Sequence, residues 1–460
     1  MTVAGRSQQP VAGASEAAAP HPSIAVLARF LLKAFFGRIE VVGRELVPSG
    51  RPLVFVANHV NSLVDPALLL AYMPSPPRLL ATSELWQMPI LRPFLAWAAA
   101  IPIYRRHVEG FDPDKNVSTF ARCHEVLAAG GHIGILPEGT SHNEPALVRI
   151  KSGVSRIVLE AEERFGDLGT RIVPVGFTFE DRTRFRSAAL VQVGEPIDPA
   201  PEIAIYGSDP WAAVQALTGR VREALEALTL NFPSWEEADV IARAAEIYQR
   251  PAGLSAPLPL SERVALRRTF LAGYRALMAE RPEAVAAAAR AVARYDSELR
   301  GCRLLDEQVA ASYPWRVVAR FTARSLWLLL VRLPLGAVGL MIHFLPFQAA
   351  SGAAKRWSGT ADRAATYKVL ASIVFYLLTW ALVAGAAGWA WGWPAAPAAL
   401  VLAPLCGGVA LRLYLRGRLF WSRARGFLLM RGGKASAELR RRRQEAASAV
   451  EGLVELYQKR

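Results

Sequence analysis

Between residues 38 and 197, short apolar runs alternate with amphipathic stretches. Ile39–Val42, Leu53–Ala57, Ile101–Tyr104, Ile133–Leu136, Ile172–Thr178 and Leu190–Val193 predict strands, being brief, apolar and bounded by turn residues. Asp65–Tyr72, Val117–Ala129 and Lys151–Glu163 predict helices between them. The alternation predicts an α/β domain over 38–197, a sheet flanked by helices. Val173-Pro174-Val175 interrupts its strand with a residue that cannot donate to a ladder, which suits an edge position.

The pattern changes on both sides of this domain. Residues 1–23 are rich in Ala, Pro, Gly, Ser and Gln and lack the apolar core of a signal peptide, so a disordered N-terminus is expected. Ile24 to Phe36 is too short to cross a bilayer, and its cations Arg29 and Lys33 share one helical face. An interfacial helix over 24–37 or an ordinary packed helix fits equally. Residues 198–312 predict a helical subdomain, with helices over Trp211–Leu228, Trp235–Gln249, Ser261–Ala279 and Pro282–Leu299. Ser261 has the side chain of an N-cap.

From 313 the chain reads as membrane-associated. Val369 to Leu411 contains no charged residue. As one helix it would be about 64 Å long, against a hydrocarbon core of about 30 Å. It must therefore fold back, and Gly392-Trp393-Pro394 is the natural break, beside the interfacial pair Trp389 and Trp391. Ser325 to Ala354 is also apolar, but Arg332, Pro334 and Pro346 interrupt it and basic residues flank both ends. That pattern predicts a kinked, partly embedded or re-entrant segment rather than a simple span. The tail over 412–460 carries thirteen Lys or Arg against four Glu, and Arg363 and Lys368 precede the hairpin. Both hairpin ends are thus expected on the cytoplasmic side. Arg440 to Arg443 could pair with anionic lipid or form a solvated helix face.

Composition narrows the partners. Hydrophobic residues make up 52% and the net charge is +15. A basic, apolar chain without aromatic-interleaved basic motifs points to lipid and phosphate-bearing substrates, and away from nucleic acid. Cys123, Cys302 and Cys406 are far apart, with neither disulfide nor zinc spacing. No metal or redox cofactor is expected.

Four blocks inside the α/β domain carry candidate chemistry. Asn58-His59 to Asp65-Pro66 follows the Leu53–Ala57 strand and supplies a base with an orienting carboxylate. Ile101 to Arg106 ends a strand in two cations, Arg105 and Arg106, fit for a phosphate or for surface ion pairs. Pro137-Glu138-Gly139-Thr140-Ser141 is a tight turn with a carboxylate, two hydroxyls and exposed backbone N–H groups, and Lys151 opens the next helix. Val173 to Val175 completes the set.

In this order the blocks resemble the glycerolipid acyltransferases, which carry a spaced His and Asp, an Arg block, Pro-Glu-Gly-Thr and Val-Pro-Val. The resemblance covers about a third of the chain. It implies that His59 takes the proton of an acceptor hydroxyl and that Asp65 holds and stabilises its imidazole. The hydroxyl would then attack an acyl thioester directly, so acyl-CoA or acyl-carrier protein is a donor substrate and no further cofactor is implied. Arg105 would bind the acceptor phosphate, and Glu138, Gly139 and Thr140 would shape the acceptor pocket. Lys151 would add a cation, and Val173 to Val175 would line the acyl side.

Two departures from the family pattern bear on the acceptor. Five residues separate His59 from Asp65 where four are usual, so the pair must lie across a loop-to-helix junction. Ser141-His142 stands where an Arg is usual after Glu-Gly-Thr, which shifts phosphate binding toward Arg105, Arg106, Arg149 and Lys151. Both departures resemble the branch that acylates glycerol-3-phosphate or dihydroxyacetone phosphate. Other expectations are a 1-acylglycerol-3-phosphate acceptor, or a non-catalytic membrane scaffold with a degenerate domain.

Overall fold

The computed structural model describes residues 19–88, 91–104, 113–182, 184–249, 258–310, 315–357, 361–430 and 432–459. The chain forms two compact units, Met1–Asn231 and Phe232–Arg460.

In the first unit, seven strands form one sheet: β1 (Arg38–Val42), β2 (Leu53–Ala57), β3 (Arg78–Thr82), β4 (Ile101–Ile103), β5 (His132–Ile135), β6 (Arg171–Phe179) and β7 (Ala188–Val193). Their order is β1-β7-β6-β2-β5-β3-β4. Neighbours run parallel except β6 and β7. β2 lies at the centre, and all five of its residues are buried, as an unbroken apolar run requires when both sheet faces are covered.

The two-residue period of the strand divides this core. Phe55 and Ala57 join Val173, Val175 and the buried faces of α1 (Pro22–Phe35) and α2 (Val64–Tyr72). Val54 and Val56 join the opposite layer. That layer draws on α4 (Pro113–Ala128), α5 (Gly153–Phe165) and α7 (Pro210–Leu228). The short helices α3 (Arg92–Trp97) and α6 (Ala200–Tyr206) complete the unit.

Several sequence expectations change here. β3 is absent from the sequence reading because Leu79-Leu80-Ala81 is too short to register between Arg78 and Thr82. The sheet unit runs past 197 to 231, since α7 buries Ala213, Leu217, Val221 and Leu225 against it. Pro174 lies in an interior strand, between β2 and β7, rather than at an edge. Its carbonyl accepts from Gly194 N–H just beyond β7, and Ile172 and Ile197 resume the pairing past it, so the missing donor falls at an interruption of the ladder. Val173 and Val175 are completely buried in the core and line no open surface. Arg29 donates to the Ala71 carbonyl at 2.7 Å and so ties α1 to the end of α2, while Val26 and Phe30 face outward.

The second unit is helical. α8 (Trp235–Gln249), α9 (Leu260–Glu280), α10 (Pro282–Cys302), α11 (Asp306–Ala310) and α15 (Lys434–Gln458) surround a core containing Ile247, Val292, Tyr295, Leu299, Leu439 and Val450. The buried Arg443 guanidinium donates to Asp306, and the Tyr295 hydroxyl donates to the same carboxylate. Ser261 is not an N-cap. α9 begins one residue earlier, with Pro259 in the N-cap position.

The remaining helices are α12 (Trp315–Trp357), α13 (Ala361–Trp391) and α14 (Ala395–Met430). α12 is helical throughout, with Pro334 and Pro346 inside it. Gly392, at φ +85°, separates α13 from α14. Three stretches, Leu330–Trp357, Tyr367–Trp391 and Ala395–Gly417, are long and apolar enough to cross a membrane.

Candidate active site

The carboxyl ends of parallel strands in an open α/β sheet are where ligands bind. Here β2 runs into Asn58-His59 and β5 into Leu136-Pro137-Glu138, side by side in the sheet.

The His59–Asp65 loop closes despite its extra residue. Val60 to Leu63 form a turn in which Ser62 takes φ +30°, and the Asn61 carbonyl accepts from Val64 N–H at 2.8 Å. Asp65 then sits in the first turn of α2, fully buried. Its Oδ2 accepts from His59 Nδ1–H at 3.0 Å, Val60 N–H at 2.7 Å and Asn61 N–H at 2.6 Å. One carboxylate oxygen therefore gathers the whole loop. A proton on Nδ1 leaves the Nε2 lone pair as the basic site of a partly exposed imidazole.

The second loop is fastened to the first by Glu138. This buried carboxylate accepts His59 N–H on Oε1 at 2.6 Å and pairs through Oε2 with His142 Nε2. His142 Nδ1 accepts from Glu144 N–H at 3.1 Å, which places the ring proton on Nε2, donated to Glu138. His142 N–H also donates to the His59 carbonyl at 3.2 Å. Arg182 Nη1 bridges the loops again, donating to the Val60 and His142 carbonyls at 2.9 and 3.1 Å. Asn58 continues β2 with its side chain, exchanging two hydrogen bonds with the Phe177 backbone.

Gly139 turns at φ +74° with the Lys151 amine against it, so any side chain at 139 would displace that amine. Thr140 is exposed and Ser141 half-buried. The structure therefore brings together His59, Asp65, Glu138, Gly139 and Lys151. Arg105 and Arg106 lie outside the described residues. The chain leading to them is held at Tyr104, whose backbone exchanges two hydrogen bonds with the Asn116 side chain.

Sequence reasoning missed three residues of this arrangement. Asn58 adjoins the histidine and could have been weighed. His142 stood out only as the replacement for a missing Arg. Arg182 is 122 positions from Val60 and gave no sequence signal.

The central strand β2 thus delivers a His–Asp loop beside a Pro-Glu-Gly-Thr turn. Residues 38–178 match the family model Acyltransferase, and residues 240–457 match that of the Glycerol-3-phosphate acyltransferase 2 C-terminal domain. Residues 38–178 thus form an acyltransferase domain, and the chain is similar to glycerolipid acyltransferases. Glycerol-3-phosphate O-acyltransferase 2 of Saccharomyces cerevisiae is 34% identical over 35% of this chain and 21% of its own length. Glycerol-3-phosphate O-acyltransferase 1 of the same yeast is 30% identical over 34% of this chain and 21% of its own. The chain thus spans about a fifth of each relative. Among solved structures, the 1-acyl-sn-glycerophosphate (LPA) acyltransferase PlsC from Thermotoga maritima is similar with 21% identity and a TM-score of 0.32. It covers 45% of this chain and 79% of its own.

Proposed function

We propose that this protein is a membrane-bound O-acyltransferase that moves a fatty acyl group from an acyl thioester, acyl-CoA or acyl-carrier protein, to the hydroxyl of glycerol-3-phosphate or dihydroxyacetone phosphate. The observation that carries the proposal is the His59 Nδ1–Asp65 Oδ2 contact at 3.0 Å, which leaves Nε2 as a base at the carboxyl end of β2. The names of the two yeast relatives and of the second matched family model support the acceptor.

His59 Nε2 takes the proton as the acceptor oxygen attacks the thioester carbonyl carbon. Asp65 stabilises the imidazolium as it forms. The tetrahedral intermediate collapses with cleavage of the C–S bond, and the imidazolium returns the proton to the departing thiolate. The products are an ester and a free thiol, and no covalent enzyme intermediate arises. Glu138 and Arg182 hold the two loops in register. Lys151, with Arg105 and Arg106 from the sequence, supplies positive charge for the acceptor phosphate. The catalytic unit works on the cytoplasmic face, as the basic flanks of the hairpin suggest.

Product analysis tests this reading. Membranes containing the protein are given labelled acyl-CoA with glycerol-3-phosphate, dihydroxyacetone phosphate or 1-acylglycerol-3-phosphate. Acylation of the first or second, at least tenfold above the third, is expected. Preference for the third assigns the later acylation step. No turnover with any acceptor by a folded protein returns the scaffold alternative.

A further inference from the structure

We infer that the apolar helices α12–α14 cross the bilayer twice rather than three times, and that α12 enters and leaves a single leaflet on the side where α8–α11 and α15 lie. Length and apolarity alone would allow three crossings. The packing of the hydrophilic helices excludes an odd number.

The chain enters its apolar region next to α11. Trp315 is five residues beyond Ala310, a reach of at most about 18 Å, against a hydrocarbon core of about 30 Å. The start of α12 therefore lies on the α11 side. The chain also leaves on that side. Gln308 of α11 lies against Gly426 near the end of α14, and Met430 is buried in the same core as Tyr295 and Leu299. α15 then folds back onto this core, fixed by the buried bond from Arg443 to Asp306. A chain that enters and leaves on one side crosses an even number of times.

The helix that does not cross is α12. Val369 to Leu411 holds no charge, whereas the α12 stretch contains Arg332. Arg316, Arg320 and Arg324 precede that stretch, and Lys355 and Arg356 end it, so both its ends favour one interface. Pro334 and Pro346 each remove a backbone hydrogen bond inside α12 and allow it to bend. By contrast, Trp389, Trp391 and Trp393 at the α13–α14 turn are 80–90% exposed, as an aromatic belt at the far interface would be.

α12 is docked on both helices of the hairpin. A methyl on Gly339 would strike the Cys406 carbonyl, and one on Gly407 would strike the His343 ring. His343 bonds the Gly339 carbonyl through Nδ1 at 2.8 Å and accepts from Trp380 Nε1 at 3.0 Å, so its polar atoms meet protein. Its neighbours Leu340, Met341, Phe344 and Leu345 are exposed. Their partner is the acyl-chain region of one leaflet.

Single cysteines test the inference. In a background with Cys123→Ser, Cys302→Ser and Cys406→Ala, one cysteine is placed by Ala319→Cys, Lys355→Cys, Trp393→Cys or Glu451→Cys. Sealed membrane vesicles of uniform orientation are treated with a membrane-impermeant maleimide. Ala319→Cys, Lys355→Cys and Glu451→Cys should label from one face, and Trp393→Cys from the opposite face. Lys355→Cys labelling from the face opposite to Ala319→Cys would overturn the account, because α12 would then cross. Trp393→Cys labelling with the other three would overturn it too, because nothing would cross. Glycosylation acceptor sites inserted at Gly352 and at Gly392, read by gel shift, give the same discrimination in the native cysteine background.

Discussion

Two histidine–carboxylate pairs stand a few ångströms apart at the ends of β2 and β5, and they are wired oppositely. His59 gives its Nδ1 proton to Asp65 and keeps Nε2 outside the network. His142 gives its Nε2 proton to Glu138 and uses Nδ1 to accept from Glu144 N–H, so both ring nitrogens are engaged. On the proposed mechanism the first imidazole takes a proton from the substrate and the second is a strut. Residue type and a nearby carboxylate do not separate a base from a scaffold. Which nitrogen the backbone and carboxylate occupy does.

This contrast ranks the expected effects of substitution. Asp65→Asn should lower kcat/KM by about 10²- to 10⁴-fold, the range of general-base assistance, because the imidazolium loses its counter-charge. A glycerol-3-phosphate acyl-transfer assay measures it. Glu138→Ala strands the His59 N–H and the His142 ring together. Charge-assisted hydrogen bonds of this kind contribute about 1.5–3 kcal/mol each, so a lower melting temperature and a roughly tenfold lower kcat/KM are expected. Arg182→Ala loosens the Val60 and His142 carbonyls without touching either ring nitrogen. Its expected loss is about threefold to tenfold, roughly 1 kcal/mol, mostly in kcat. An equal loss in Asp65→Asn and Arg182→Ala would break the distinction between chemistry and positioning.

The smallest effects concern groups outside the site. Burial pushes the Cys123 thiol up to about 12, so iodoacetamide should leave it unmodified until the unit unfolds. Burial also lowers the pKa of His124 and His132. The unfolded chain therefore binds more protons as pH falls below about 6.5, the ordinary histidine value. Stability from these two groups is complete above that pH and declines below it. Melting curves taken across that pH range measure this loss.

The legibility of the molecule in its sequence follows the range of its interactions. β2, β5 and β6 announce themselves because both sheet faces are covered, leaving unbroken apolar runs. Asp65 is readable from His59 because both belong to one loop, although the extra residue had to be absorbed by the Ser62 turn. Arg182 is not readable, because its targets come from two loops distant in sequence. Pro174 misleads because a proline suits an edge strand unless the neighbouring ladder is interrupted beside it. In the second unit, hydrophobicity marks the apolar helices, but the return of α15 onto α11 through Arg443 and Asp306 depends on tertiary packing.

The most direct measurement compares His59→Gln with His142→Gln in the same membranes, with glycerol-3-phosphate as acceptor and equal amounts of folded protein. The account predicts that His59→Gln lowers kcat by about 10²- to 10⁴-fold, while His142→Gln lowers it by less than about tenfold. Wild-type turnover by His59→Gln, or a reversal of the two losses, would contradict it.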